Sequence, residues 1–168
     1  VIRAVITNVK EKRVVSGAST ITQQLVKIYL GNKRRTVIHK VIEWGYAVGF
    51  EWRYSKDALL EAYLNVVYLG HHSMGFVAAS HYYFDTPLHS LSLSEYAQLI
   101  CVLRSPVFLD PFQNSERLNV LAQRLLKRAY TQGVITESEW KTAMATHIEY
   151  KREKRDYFAP HFSRFVLD

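Results

Sequence analysis

Two stretches of this 168-residue chain place side chains at spacings that chemistry on an anion would use. In the first, Ser19, Thr20, Thr22, Gln23 and Gln24 crowd six positions with polar groups, and Lys27 follows. Thr20 and Gln23 fit a capping box, in which a hydroxyl and an amide three residues on satisfy orphan backbone donors where a helix starts. That leaves the second amide, Gln24, surplus to capping and aimed at something else. A helix N-terminus offers N–H groups and a positive dipole end, which suit an anion. Lys27, seven positions after Thr20, shares its face. In the second stretch Lys40, Glu43, Ala47 and Glu51 follow at intervals of three, four and four, which is one line along a helix. Ala47 leaves room beside the Glu43 carboxylate. On pattern alone, a solvated Lys40–Glu43 pair worth roughly a few tenths of a kcal/mol accounts for this line.

Helices must position both stretches. Apolar residues at Ile2, Val5, Ile6 and Val9 predict a first helix to Lys12. The helix capped by Thr20 stops at Gly31. After the basic turn Asn32-Lys33-Arg34-Arg35, Thr36 starts a long helix to about Trp52. Its Val37, Val41, Trp44 and Val48 make an apolar stripe, widened by Ile38, Ile42 and Gly45. So short a connection makes the two helices neighbours. Lys27, Arg35 and Lys40 then converge around Glu43 in one groove of net positive charge.

Ser55 caps a helix to Asn65. His71 and His72 follow Gly70, with no Cys or carboxylate at ligand spacing, so a loop and no metal site is expected. Ser92 and Glu95 form a capping box for a helix that Pro106 ends. A helix from Ser115 to Gln132 stops at Gly133, and Thr136 with Glu139 caps the next. Lys151 to Arg155 is a charged boundary, and a fresh helix begins at Ala159-Pro160. With no strand alternation anywhere, the fold class is all-α.

Hydrophobic residues make up 48% of the chain, enough for one domain with a real core. The net charge of +7 favours nucleic acid, anionic headgroups or pyrophosphates as partners. The basic residues are scattered and no nucleic-acid-reading motif appears, which argues against the first of these. The lone Cys101, in an apolar run, reads as an inert thiol. The longest uncharged run, Asn65 to Phe84, holds histidines and glycines and is a poor membrane span. The chain begins at Val1 and enters directly into a helical pattern, so it reads as a piece of a longer protein.

The string Gly17-Ala18-Ser19-Thr20-Ile21-Thr22-Gln23-Gln24-Leu25-Val26-Lys27 resembles the second motif of the peptidoglycan glycosyltransferases (glycosyltransferase family 51), the polymerising domain of class A penicillin-binding proteins. Arg35 to Glu43, with Ala47 and Glu51, is similar to the third motif, with His39 where Arg is usual. Ser55 to Asn65, then Tyr68-Leu69-Gly70, resembles the fourth, and Arg104 to Pro111 the fifth. The family's usual Arg pair in the following helix is replaced by Leu121 and Ala122, flanked by Arg117 and Arg124. The first motif, which carries the principal catalytic glutamate, has no match: Glu11 is the sole acid among the 18 residues before Ser19, in unlike surroundings.

The resemblance implies a lysozyme-like helical globule with a smaller membrane-facing lobe. Residues 1–150 would be a partial glycosyltransferase domain, and 151–168 the boundary leading to a following domain, a transpeptidase. It implies polymerisation of lipid II into glycan strands with inversion and release of undecaprenyl pyrophosphate. Glu43 would be catalytic at the pyrophosphate end. Lys27, Arg35 and Lys40 would hold phosphates, and Ser19, Thr20 and Gln24 would line the donor region. No cofactor is required, with Mg²⁺ at the pyrophosphate as the one candidate. The implied partners are lipid II, the growing lipid-linked chain and a membrane surface, with no nucleic acid. The implied place is the outer side of the bacterial cytoplasmic membrane. Without the first glutamate, this stretch alone is expected to be inactive. The alternatives are a non-catalytic scaffold that binds lipid-linked substrate and a basic helical nucleic-acid-binding module.

Overall fold

A computed structural model of the chain describes residues 20–31 and 36–151. The helix expected at Ile2–Lys12, the turn 32–35 and the helix expected from Ala159 lie outside the described residues. The chain divides into two compact units, residues 1–77 and 78–168. Among the described residues there are seven α-helices and no strand.

The first unit holds α1 (Ile21–Tyr29), α2 (Val37–Arg53) and α3 (Lys56–Val66). Each starts at a hydroxyl cap. Thr20 accepts from the Gln23 amide, Thr36 from that of His39 and Ser55 from that of Ala58. The Thr20–Gln23 box closes in both directions. Gly31, at φ +71°, takes the left-handed conformation that ends α1. Helix α1 packs on both α2 and α3. It buries Thr22, Gln23, Leu25 and Val26, and the Tyr29 ring meets Phe50 of α2 edge to face at 6.2 Å. After α3 the chain turns tightly. The Ser73 amide donates to the Gly70 carbonyl across His71 and His72, both at positive φ, and Tyr68 bridges to Met74. Among the described residues no group of three metal-ligating side chains gathers.

Helix α2 departs from the ordinary amphipathic rule. An apolar stripe normally faces a core, yet Ala47 is the single buried residue of these 17. Val37 is 82% and Val41 62% exposed, and Ile38, Ile42, Trp44 and Val48 are exposed with them.

Helix α4 (Gly75–Phe84) crosses the boundary between the units. No periodicity announced it, because it is apolar nearly all round, with Phe76, Ala79, Ser80, Tyr82, Tyr83 and Phe84 buried. Its first residue must be glycine. At φ +80° a Cβ on Gly75 would stand 2.3 Å from the Asn65 carbonyl oxygen.

The second unit contains a short 3₁₀ turn (Leu88–Ser90), α5 (Leu93–Arg104), α6 (Ser115–Thr131) and α7 (Glu137–Ala145). Capping boxes at Ser92/Glu95 and Thr136/Glu139 both close. The three helices pack together around Ala97, Ala122, Leu126 and Ala143, with Leu93, Cys101 and Trp140 against them. Cys101 is half-buried, and burial pushes its thiol up against the opposing pull of Arg104. A second cluster joins Tyr82, Tyr83, Phe84, Phe112 and Tyr150. Tyr150 donates its hydroxyl to Gln98 of α5, whose amide donates to Asn119 of α6.

Candidate functional site

The described candidate residues of the first unit lie on α1 with its Thr20 cap and on α2. Lys40 and Glu43 meet as their spacing predicts, with Lys40 Nζ 2.7 Å from Glu43 Oε2. The Glu43 side chain is only 16% exposed, against 57% for Lys40. Glu43 stands one turn before Ala47, so the middle of the line turns toward the unit, while Lys40 and Glu51 at its ends and the apolar stripe are exposed. Shielding one carboxylate while six large apolar side chains stay exposed opposes the hydrophobic effect. The arrangement fits a helix that serves a polar ligand on one side and an apolar medium on the other.

Thr20 is committed to its cap. Its amide and that of Gln23 are satisfied by the box, so the Ile21 and Thr22 amides are left at the open end of α1. Of the two adjacent amide side chains, Gln23 is consumed by the cap. Gln24 instead accepts a hydrogen bond from the Tyr63 hydroxyl of α3 at 2.9 Å. Tyr63 is 4% exposed, and burial pushes its phenol up. It fixes the Gln24 side chain across 39 residues of sequence. In the sequence, Tyr63 lies among Leu59, Leu60 and Leu64 of the helix that Ser55 caps. A phenol in a buried row that must find a partner was the available signal.

Lys27 lies half-buried in the last turn of α1, and among the described residues it makes no ion pair or hydrogen bond. Ser19 and Arg35 lie outside the described residues. Glu61 of α3 is exposed, in keeping with a surface charge. In the second unit, Leu121 and Ala122 have different surroundings. Ala122 is buried in the core between the helices, whereas Leu121 lines a surface cavity with Arg117 and Arg124.

A family profile described as Transglycosylase matches residues 1–130. The chain belongs to the transglycosylase family. Penicillin-binding protein 4 of Bacillus subtilis is 37% identical over 168 residues, covering 99% of this chain and 27% of that protein. Penicillin-binding protein 1A of Aquifex aeolicus is 35% identical over 166 residues, covering 99% of this chain and 23% of its own length. This transglycosylase chain thus spans about a quarter of the length of such relatives. The crystal structure of penicillin-binding protein 1A from Haemophilus influenzae shares its fold, with a TM-score of 0.58 at 20% identity over 91% of this chain and 20% of that one.

Proposed function

We propose that this chain is part of a peptidoglycan glycosyltransferase, which polymerises lipid II into glycan strands. The observation that carries the reading is the Lys40–Glu43 pair of α2, with its carboxylate largely shielded, on a unit where Tyr63 also fixes Gln24, in a chain of the transglycosylase family. An acceptor sugar 4-hydroxyl attacks C1 of the growing chain with inversion, and undecaprenyl pyrophosphate leaves. The step needs a general base at the hydroxyl and positive charge where the pyrophosphate departs. Lys40, with Lys27 and Arg35, supplies that charge, and Glu43 positions Lys40 and acts at the pyrophosphate end. Ser19, Thr20 and Gln24 line the donor sugar. Were Mg²⁺ to accompany the pyrophosphate, the Glu43 carboxylate would be the residue to hold it, and the ion would add charge stabilisation for the leaving group. The general base belongs to the family's first motif, which these 168 residues do not match.

The exposed apolar side of α2 is the face we assign to the membrane that holds the lipid substrate. Among the described residues no helix is long and apolar enough to cross a membrane, so the contact is interfacial. The place is the outer surface of the bacterial cytoplasmic membrane, in a protein that also carries a transpeptidase domain.

The test uses the full-length protein. Glu43→Gln abolishes polymer formation from lipid II with helicity unchanged, and Lys27→Ala weakens binding of a phosphoglycolipid substrate mimic. The 168-residue chain alone makes no polymer. Near-normal turnover by Glu43→Gln would make Glu43 a structural residue and defeat the reading.

A further inference from the structure

We propose that the second unit carries its own docking site for the phosphate headgroups of an anionic membrane lipid, built from Arg104, Arg117 and Arg124 around the Val107–Phe108 tip. The three arginines line one cavity of about 600 Å³ with Phe108, Val120 and Leu121. Arg117, Val120, Leu121 and Arg124 fall at i, i+3, i+4 and i+7, one face of α6, while Leu118, Ala122 and Leu126 bury the other. Arg104 joins them from the last turn of α5.

Arg104 has an ordinary explanation, because a cation suits a helix C-terminus. Arg117 does not, since it stands in the first turn of α6, where the dipole disfavours a cation. Among the described residues none of the three makes an ion pair or hydrogen bond. Three guanidinium groups in one concavity repel each other until an anion enters. Their planar forks match phosphate oxygens in pairs.

The apolar side chains decide which phosphate. Val107 is 74% and Phe108 69% exposed, and Ile100 and Val120 are exposed nearby. Greasy residues beside cations fit the headgroup boundary, where the former enter the acyl region and the latter reach phosphates. A free phosphate gives Val107 and Phe108 nothing to do. A nucleic-acid strand would want stacking rings, and three of these four exposed residues are aliphatic. The site uses no residue of the α1–α3 assignment, so it stands or falls separately from the transglycosylase reading and from the α2 membrane face.

The experiment places an environment-sensitive dye on Val107→Cys in a Cys101→Ser background. The labelled chain is mixed with vesicles of phosphatidylglycerol and phosphatidylcholine, with phosphatidylcholine vesicles alone, with inorganic pyrophosphate, and with a single-stranded oligonucleotide. Dye emission shifts to the blue with the anionic vesicles only. Vesicle partition weakens about fivefold for each arginine changed to Gln, and roughly a hundredfold for all three. Flotation of the unlabelled chain and its triple Arg→Gln variant, all surface changes, gives the same ratio should the labelled background fold poorly. The proposal is overturned by a dye that stays water-like on anionic vesicles, by equal partition of parent and triple variant, or by a shift that pyrophosphate or the oligonucleotide produces without vesicles.

Discussion

The Tyr63–Gln24 hydrogen bond joins α1 to α3, and its two partners differ in environment in a way that predicts unequal losses. Tyr63 is buried at 4% exposure, whereas Gln24 is exposed. Tyr63→Phe removes the donor, and water takes over the Gln24 carbonyl, so the loss is the net worth of one hydrogen bond, about 1 kcal/mol. Gln24→Ala leaves the phenol buried without a partner, which costs about 1–3 kcal/mol. Alanine returns about 0.4 kcal/mol of helix propensity on α1, so the net loss is about 0.6–2.6 kcal/mol, centred near 1.6. In the double variant neither polar group is left wanting, and the coupling from the cycle is about 1 kcal/mol. Urea unfolding of the chain followed by circular dichroism, with linear extrapolation, measures all four corners. Additive single losses within about 0.3 kcal/mol, or a Tyr63→Phe loss as large as that of Gln24→Ala, would refute the reasoning.

Two further outcomes follow from the packing. Gly75→Ala forces a left-handed alanine and sets its Cβ 2.3 Å from the Asn65 carbonyl oxygen, which is backbone and cannot swing away. The expected loss is about 3 kcal/mol or more, read by the same unfolding assay, and a loss under about 1 kcal/mol would show that this turn is loosely held. Burial pushes the Tyr150 phenol up to about 12, against a smaller lowering by Gln98. The folded chain holds this proton after the unfolded chain has lost it near pH 10. The stabilisation is therefore complete below about pH 10 and lost as pH rises toward 12. An ultraviolet titration should show a late tyrosine step that Tyr150→Phe removes, and tyrosines ionising together near pH 10 would contradict it.

Helix starts were the most legible part of this chain, for a local reason. A hydroxyl followed three residues later by Gln or Glu satisfies two backbone donors without help from the rest of the fold. All three such pairs, at Thr20, Ser92 and Thr136, form boxes in the structure. Helix α4 has no such mark. Its first residue is a glycine at positive φ, and its apolar side chains surround the helix and give no period. The Lys40–Glu43 contact was legible because it is one turn long. The Gln24–Tyr63 contact and the three-arginine cavity were not, since both need distant segments brought together by the fold.

Periodicity in α2 identified which residues share a face, and it was silent on what covers that face. The stripe from Val37 to Val48 would ordinarily be drawn into a core, and the line holding Glu43 left to water. The structure has them the other way round, with Ala47 and the Glu43 side chain shielded and the stripe on the surface. Each large apolar side chain left in water forgoes roughly 1.5–3 kcal/mol of burial, and six of them flank one another here. An inverted helix of this kind makes physical sense once its apolar face meets a medium other than water. On the function proposed above, a membrane surface supplies that medium, and it also presents the lipid-linked pyrophosphate to the side of α2 where Lys40 and Glu43 stand. One inversion thus accounts for both the exposed stripe and the shielded carboxylate.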